Sequence, residues 1–377
     1  MPLFSTPQSY LGIDFDSNSI KVVELRNDGG RPRLVTYGYY DGDVDQATRE
    51  RSNDRETAKL IRHVCRKAKT TTTKTITALP AFSVFSSILN LPAMTKKDLA
   101  SAVKWEAKKV IPLPLDEMIL DWKLLEDLPT ASVRAEENGD VATLKPEEEN
   151  GTKGMAKISN KTKKQYLRVL LTAAPKDLVK RYIDTFRAGG LNLLSLDTES
   201  FALIRSLVGN DKSALMIVDI GSVVTNISVV VNSIPILNRS IDVGGTTITN
   251  AIAASLNVSA SRAEQFKYDI GMNPDRVGQG SVPKTIETTL QPIIDELRYS
   301  LNLYKNQGQK TIEKIILTGG SSLLSNLPQY LSQALGLRVF LGDPWARVIY
   351  PQELKPVLDE VGPRFSVAVG LAMRDIE

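Results

Sequence analysis

The sequence of 377 residues is poor in the side chains that bind transition metals, act as catalytic bases or form disulfides. It has one cysteine, Cys65, and one histidine, His63. One cysteine excludes an internal disulfide and is typical of a protein in a reducing cytosol. A structural zinc site needs about four Cys or His ligands, and a Ser-His-Asp hydrolase needs a serine motif that does not accompany His63. Both classes are disfavoured, and His63 is interpreted as an ordinary residue of a basic helix.

Long apolar runs are also missing. No stretch reaches the roughly 18 apolar residues of a membrane-spanning helix, and the N-terminal segment MPLFSTPQSY lacks the basic leader of a signal peptide. The net charge is only +4, from 47 basic and 43 acidic residues. Because these charges are interspersed, nucleic-acid binding is not expected. The Walker A and Rossmann glycine patterns are absent, which disfavours those two nucleotide-binding folds.

The sequence does contain a repeated motif. The segment GIDFDSNSIKVVEL at 12–25 resembles IVDIGSVVTNISVVV at 217–231. Each copy has an apolar strand, an aspartate (Asp14 or Asp219), a turn of small residues and a second apolar strand. The copies open the two halves of the chain, which indicates an internal duplication. Two unrelated hairpins would give the same pattern, since Asp and Ser are common turn residues.

A third turn of small residues, TGGSS at 318–322, follows another apolar strand. Glycine-rich turns allow backbone amides to converge on an anion, and aspartates at strand ends can hold Mg²⁺ through its waters. The order of two Asp turns and one Gly-Gly turn therefore indicates a nucleotide held between two halves. Taken alone, a strand followed by Gly-Gly and a helix is common packing.

Residues 75–186 are predicted to form a small βαβ-type subdomain inserted into the first half. One helix is predicted after Thr95, because Asp98 completes a capping pattern, and it ends at Pro112. Residues 129–164 have few apolar and no aromatic side chains, which predicts a mobile insertion. A second helix is predicted after Pro175, with a buried face made of Leu178, Val179, Tyr182, Ile183 and Phe186.

The rest of the chain is predicted to form two lobes. The core of the first lobe is predicted at 1–74 and 187–210. The second lobe is predicted at 211–377, with an outer subdomain at about 244–310.

The order of these motifs resembles the actin-like ATPase superfamily, an α/β class with a duplicated, ribonuclease H-like fold and two lobes around a nucleotide cleft. The segments WEAKKVIPLPLDEMILDW (105–122), LDTESFALIRSL (196–207) and LTGGSSLLSNLPQYL (317–331) are more specific. Together with the two Asp hairpins, they resemble the PilM family of type IV pilus assembly proteins, which is related to FtsA. The resemblance covers the whole chain except 129–164.

The resemblance implies a site for ATP and Mg²⁺. Asp14 and Asp219 would associate with the metal, and Glu199 would position water for catalysis, although exposed helical charges such as Glu199, Glu264 and Lys267 are usually solvated. The remaining implied nucleotide-binding residues are Ser17, Asn18, Ser19 and Lys21 in the first loop, Gly221, Ser222 and Thr225 in the second, Gly244 and Gly245 lining the cleft, Glu264 and Lys267 beside the nucleoside, and Gly319, Gly320 and Ser321 in an adenosine loop.

One residue departs from the family pattern. The chain has Asp16 where the family usually has glycine, as it does itself at Gly221. A second carboxylate near the phosphates repels them unless it is neutralised. Weak or absent ATP hydrolysis is therefore expected.

The implied function is a nucleotide-binding scaffold in the cytoplasm, at the inner face of the membrane. It would bind the cytoplasmic tail of a PilN-like inner-membrane protein, with membrane contact only through that partner. Leu113, Leu115 and Met118 are predicted to line the groove for the tail, with a place in the core as the alternative. The alternative functions are an actively hydrolysing ATPase and an FtsA-like protein that self-associates into filaments.

Overall fold

The structure, a computed structural model, describes residues 8–15, 19–42, 54–125, 166–272, 282–306 and 311–376. The polar insertion predicted at 129–164 lies outside these residues. The strands are β1 (Ser9–Phe15), β2 (Ser19–Asp28), β3 (Arg31–Asp41), β4 (Lys74–Leu79), β5 (Phe85–Pro92), β6 (Met118–Leu125), β7 (Tyr166–Pro175), β8 (Asn192–Thr198), β9 (Leu215–Ile220), β10 (Thr225–Val231), β11 (Ile234–Ile241), β12 (Lys314–Thr318) and β13 (Arg338–Leu341). The α-helices are α1 (Asp54–Ala68), α2 (Lys96–Val110), α3 (Lys176–Ala188), α4 (Glu199–Leu207), α5 (Gly245–Leu256), α6 (Ala260–Ile270), α7 (Val282–Asn306), α8 (Leu327–Leu335), α9 (Lys355–Val361) and α10 (Ser366–Met373).

Two five-stranded sheets share one topology. The strand orders are β3-β2-β1-β4-β8 and β11-β10-β9-β12-β13. In each sheet the first three strands form an antiparallel meander, and the last two run parallel to the first strand of that meander. The two Asp motifs form the first hairpins of these sheets, β1–β2 and β9–β10. The duplication that the sequence indicates is thus present in the fold, and the hairpins are not unrelated.

Helices α4 and α10 lie between the two sheets and join their cores. One buried cluster contains Leu203 of α4, Val369 of α10, Val23 of the first sheet and Ile217 of the second. The two helices approach so closely that a Cβ on Gly370 would overlap the carbonyl of Ala202. Helix α10 also lies directly on β1. Small residues at these contacts allow backbone to pack against backbone.

Helix α10 lies within 211–377, the range predicted for the second lobe, but it packs against β1, β2 and β4 of the first. The chain before it also returns to that lobe, since Leu34 donates a hydrogen bond to the carbonyl of Ile349. The second lobe therefore does not include the C-terminal segment. The sequence gives no periodic signal for this return because α10 is buried on all sides.

The inserted subdomain is narrower than the predicted range of 75–186. It consists of a three-stranded sheet, β5-β7-β6, covered by α2. Strands β5 and β6 both run antiparallel to the central β7, so they are parallel to each other, and α2 connects them in a split βαβ unit. At either end of the predicted range, β4 belongs to the first sheet and α3 packs against α1 and β8 of the first lobe.

Most of the predicted helix details hold. Thr95 caps α2 by accepting a hydrogen bond from the amide of Asp98. On α3, Tyr182 and Phe186 are buried, whereas Ile183 is 38% exposed and does not belong to the buried face. Helices α5, α6 and α7 share a core with the second sheet. Among the described residues, no helix combines the length and hydropathy needed to cross a membrane.

Candidate functional site

The two Asp hairpins place chemically different pairs at equivalent positions. On β1–β2, Asp14 faces Lys21 across the strands, and on β9–β10, Asp219 faces Asn226. The Nζ of Lys21 lies 3.1 Å from Oδ2 of Asp14, and each side chain is 13% exposed. A lysine this close neutralises the carboxylate and holds it in place. The first hairpin is therefore a pre-formed ion pair, whereas the second presents a carboxylate beside an amide.

Glu199 connects the second hairpin to the first lobe. It is the first residue of α4, which Thr198 caps. Its Oε2 accepts a hydrogen bond of 3.0 Å from the backbone amide of Ala81 and another of 3.0 Å from Nδ2 of Asn226. Asn226 in turn accepts a hydrogen bond from the hydroxyl of Ser240 at Oδ1. These bonds fix the Glu199 carboxylate at the boundary between the lobes, so it is not a solvated helical charge.

The Gly-Gly turn after β12 lies against the second Asp. Gly319 has φ +85°, and a Cβ at this residue would collide with Oδ1 of Asp219 and the carbonyl of Ile220. Pro363 fixes the position of this turn, because the Gly319 amide and the Thr318 hydroxyl both donate hydrogen bonds to its carbonyl. Only glycine fits this backbone and this close approach. The structure thus brings together two of the three predicted turns.

The predicted cleft glycines hold the second loop. The amides of Gly245 and Thr246 donate to the carbonyls of Gly221 and Ser222 at 2.9 and 2.7 Å. A Cβ on Gly244 would collide with the same loop. The hydroxyl of Thr225 donates to the carbonyl of Val243 at 2.6 Å. These groups therefore fix the shape of the loop.

Lys267 is an internal anchor rather than an exposed cation. It is 2% exposed, and its Nζ donates to both carboxylate oxygens of Glu264, to the hydroxyl of Thr249 and to the carbonyl of Gly245. Burial lowers the pKa of Lys267, and the neighbouring Glu264 opposes this shift. The Glu264 side chain is 35% exposed. Of the predicted pair, Glu264 is the member that solvent or a ligand can reach.

Ser321 joins the same cluster. It is 3% exposed, and a Cβ on Gly245 would lie 2.5 Å from its hydroxyl oxygen. The second loop, the start of α5 and the Gly-Gly turn thus form one continuous wall.

A further cation lies beside the Gly-Gly turn. Arg364 donates a hydrogen bond of 2.7 Å to Asp41 at the end of β3, and its guanidinium lies 5.5 Å from the ring centre of Tyr39. Its Nε is 3.5 Å from where a Cβ of Gly320 would be. Asp41 pairs with Ser19, the buried first residue of β2. Arg364 therefore links the Gly-Gly turn to the first Asp hairpin.

Sequence reasoning missed Asn226 and Arg364. Asn226 could have been found, because aligning the repeats without a gap places it on Lys21. Arg364 has no such signal, since only the return of the chain to the first lobe brings it to the site. Three further residues of the first hairpin lie outside the described part of the chain. They are the predicted ligands Ser17 and Asn18, and Asp16, which departs from the family pattern.

The donor set suits a metal bound through water rather than directly. Among the described residues, no group of three or more His, Cys, Asp or Glu side chains could hold a metal ion. Mg²⁺ commonly keeps several waters and takes one or two carboxylates plus phosphate oxygens. Asp14 and Asp219 at matching strand ends fit that chemistry. The close glycine turn beside Asp219 fits a phosphate group.

The residues predicted to line a partner groove differ in exposure. Leu113 is 50% exposed, Leu115 is half-buried, and Met118 is 5% exposed within the core of the inserted subdomain. Met118 is therefore a core residue and offers no surface to a partner. The segment between them lies beside the first lobe, because Nζ of Lys176 on α3 donates to the carbonyl of Asp116 at 2.6 Å.

The duplicated sheets, the helix pair between them and the facing Asp and glycine turns define a two-lobed α/β protein of the actin-like class, as predicted. The sequence matches the family described as Type IV pilus assembly protein PilM over residues 12–141 and 155–376. The chain therefore belongs to this family.

Solved structures agree with this assignment. A chain of the PilM-PilN type IV pilus biogenesis complex is 25% identical and superposes with a TM-score of 0.77, covering 99% of this chain and 100% of that one. The ethanolamine utilization protein EutJ from Carboxydothermus hydrogenoformans is 15% identical, with a TM-score of 0.53 and coverage of 98% and 90%. The EutJ match shows the fold alone.

Proposed function

We propose that this protein is a pilus assembly scaffold that binds ATP between its lobes and holds the cytoplasmic tail of a PilN-like inner-membrane protein. The observation that carries the proposal is the full-length similarity to a chain of a solved PilM-PilN type IV pilus biogenesis complex. Binding such a tail would place the protein at the inner face of the cytoplasmic membrane.

ATP binding is supported by the wall that the second loop and the Gly-Gly turn build. The phosphates would lie at Asp219, Gly221, Ser222 and Gly319, facing Asp14 and Lys21 across the cleft. Mg²⁺, when bound, supplies positive charge to the phosphates and would be held by Asp14 and Asp219 through water. The nucleoside would lie at Glu264 and Gly320, with the buried Ser321 supporting the wall behind them.

Equilibrium binding of ATP, with and without Mg²⁺, tests the cleft. Wild type is expected to bind more tightly with Mg²⁺, and Asp219→Ala is expected to lose about tenfold or more in affinity, since one charge-assisted contact is worth about 1.5–3 kcal/mol. Asp359→Ala is the matched control, because Asp359 is an exposed aspartate that pairs only with Lys355 on α9 among its described contacts. Equal affinity of wild type and Asp219→Ala would refute the cleft assignment.

Hydrolysis is the second candidate activity, and the position of Glu199 favours testing it. Its carboxylate lies between the lobes, where a water-positioning group of this fold class is expected. Its Oε2 already accepts hydrogen bonds from Ala81 and Asn226, so that oxygen is less available to orient a water. Slow turnover is therefore expected. A Mg²⁺-dependent rate that falls on Glu199→Gln while ATP affinity is retained would assign the role, and an unchanged rate would exclude it.

The tail site is proposed at the junction of the inserted subdomain with α3. Leu113 is exposed there, and the contact between Lys176 and Asp116 fixes the segment against the first lobe. An extended tail would bury apolar side chains against Leu113 and Leu115.

A synthetic tail peptide and isothermal titration calorimetry test this site. Leu113→Asp is expected to weaken binding by about tenfold or more, because it places a charge in an apolar contact. Phe340→Asp is the control, since Phe340 is a similarly exposed apolar residue on β13 of the second lobe. Equal losses in both variants, or no loss in Leu113→Asp, would refute the groove while leaving the ATP proposal intact.

A further inference from the structure

Helix α2 of the inserted subdomain presents an exposed tryptophan. Trp105 is 65% exposed, the most exposed of the large apolar side chains in the described ranges. It cannot turn inward, because Leu99, Val103 and Ala107 occupy the opposite side of α2 and are buried in the subdomain core. Burying a tryptophan side chain is favourable by a few kcal/mol. An exposed one on a well-fixed helix therefore indicates an interaction surface.

Lysines surround this tryptophan. Lys97, Lys104 and Lys108 are exposed, and with Ser101 and Trp105 they recur at the spacing of one helix face. The Nζ of Lys108 lies 5.9 Å from the centre of the Trp105 ring. The three lysines span about 16 Å along the helix axis. We call Lys97, Lys104, Trp105 and Lys108 the lysine–tryptophan face.

Among the described residues, two carboxylates of α2 lie near this face, and each has a hydrogen-bond or ion-pair partner. Asp98 accepts a hydrogen bond from the hydroxyl of Thr95 at the helix cap. Glu106 pairs with Lys109 at 2.8 Å, on the flank of α2 away from the three lysines. The three lysines of the face give it a positive net charge, although Asp98 beside it keeps its negative charge.

We propose that the lysine–tryptophan face docks on the anionic surface of a lipid bilayer, a direct contact in addition to the one through the partner that the sequence predicts. Tryptophan is enriched at the headgroup level of membranes, where its ring is half in apolar and half in polar surroundings. Each lysine near an anionic leaflet contributes about 1 kcal/mol. Protein–protein interfaces, by contrast, are enriched in arginine and depleted in lysine. Every cation of this face is a lysine, so the composition favours lipid over a protein partner.

Such docking is weak and reversible. Three lysines and one tryptophan give a weak affinity for a lipid surface. This affinity contributes mainly when the protein is already held near the membrane. If a tail holds the protein there, as proposed above, the face would orient the inserted subdomain toward the bilayer. The lipid contact itself does not depend on the tail, and it can be measured on the protein alone.

Co-sedimentation of the purified full chain with vesicles tests the proposal. Binding is expected to rise with the fraction of phosphatidylglycerol in phosphatidylcholine vesicles and to fall in about 0.5 M salt, where the screening length is only a few Å. Lys104→Glu/Lys108→Glu is expected to reduce binding by about tenfold or more. Trp105→Ala is expected to reduce it by about tenfold without changing its salt dependence.

A charge-matched control separates the face from general charge. Arg66 and Lys67 are exposed on α1, so Arg66→Glu/Lys67→Glu changes the net charge equally elsewhere. This control is expected to bind vesicles like wild type. Thermal unfolding of each variant verifies folding. Arg66, Lys67 and Lys108 lie in the last turns of their helices, so slightly lowered midpoints are expected for both double variants and an unchanged midpoint for Trp105→Ala.

Three results would overturn the proposal. The first is no binding to vesicles rich in phosphatidylglycerol. The second is an equal loss in the α1 control. The third is a loss of tail-peptide binding in Lys104→Glu/Lys108→Glu with unchanged vesicle binding, which would assign the face to a protein partner.

Discussion

The side-chain amide of Asn226 and the carboxylate of Glu199 form a 3.0 Å hydrogen bond that joins the second Asp hairpin to the helix between the lobes. The same carboxylate oxygen is bound by the amide of Ala81 in the first lobe. One carboxylate therefore connects both halves of the protein. Hydrogen bonds to charged groups are worth about 1.5–3 kcal/mol each, so this connection is a sensitive place for substitution.

Asn226→Asp is expected to destabilise the protein. The new carboxylate would face that of Glu199 and lie across the strands from Asp219, and like charges this close repel. A loss of about 2 kcal/mol or more in the free energy of unfolding is expected, measured by urea denaturation. Ser240→Ala is the control, because Ser240 contacts the other side of the same amide and carries no charge. Equal small losses in both variants would show that the bond to Glu199 contributes little.

Gly370→Ala is expected to destabilise the protein strongly, although it adds only one methyl group. A methyl group at this position would overlap the backbone of Ala202, which cannot move because α4 is buried. Overpacking of this kind costs about 3 kcal/mol or more when the obstacle is backbone. Gly320→Ala is the matched control for stability, since the only described atoms within 4 Å of an added Cβ there belong to the side chain of Arg364. Similar midpoints for the two variants in urea denaturation would contradict the tight contact.

Glu264→Gln is expected to cost more stability than Lys267→Met. Removing the carboxylate leaves the buried ammonium of Lys267 without its counter-charge, which costs about 1.5–3 kcal/mol because Glu264 is partly exposed, whereas Lys267→Met removes the buried charge itself. Chemical denaturation at neutral pH measures both. The opposite ranking would mean that Lys267 is neutral in the folded protein.

The pH dependence of Glu264→Gln provides a second measurement. The pKa of Lys267 is lowered by burial, so at alkaline pH the unfolded chain binds more protons than the folded one. The contribution of Lys267 to stability then rises with pH across the window between its lowered folded pKa and the usual value of a lysine. Without Glu264 the folded pKa of Lys267 is lower still, so this pH window is wider in the variant. The stability difference between wild type and Glu264→Gln should therefore shrink as the pH is raised. A deficit that is constant with pH would refute this explanation.

Cys65 should behave as a probe of unfolding. It is 6% exposed, and burial raises the pKa of its thiol to about 11. In the folded protein the thiol stays protonated and inaccessible at pH 8, so a thiol reagent should react only as fast as the protein opens. Rapid labelling of the native protein, without denaturant, would contradict the burial of α1 against the first sheet.

The same thiol predicts a loss of stability in alkali. Its folded pKa lies above the unfolded value, so the stabilisation is complete below about pH 9 and is lost as the pH rises toward 11. Cys65→Ala should flatten that part of the stability curve. The raised pKa of Tyr268, about 12, predicts a further loss at higher pH that the substitution leaves in place. A curve of the same shape in the variant would assign the alkaline loss to other groups.

Local sequence patterns predicted the parts of this fold that are set by local physics. The two Asp hairpins follow from alternating apolar residues and small turn residues, and the cap of α2 follows from Thr95 and Asp98. Ile183 shows the limit of periodicity, because its position on α3 fits the buried face, yet the neighbouring elements leave it at the surface. Met118 shows a limit of local composition. An apolar residue after a Leu-Pro-Leu turn could equally line a groove or the core, so the sequence alone does not decide its position.

The site was predicted where the motif is contiguous and missed where distant segments meet. Asp219 and the Gly-Gly turn are recognisable from the sequence alone. The buried state of Lys267 is not, because it depends on how α6 packs against the start of α5. Arg364 reaches the site only because the chain returns to the first lobe, and no short-range sequence pattern predicts that return.

The packing of α10 on β1 has a consequence for how the protein is made. A Cβ on Gly12 would overlap the carbonyl of Ala368, so β1 is completed by a helix that is synthesised far later in the chain. Loop closure over so long a separation is slow, and structures dominated by distant contacts fold slowly. Until residues 366–373 emerge, the apolar surface of β1 that they cover stays open. A nascent chain stalled before Ser366 should therefore be more sensitive to protease than one that extends past Met373.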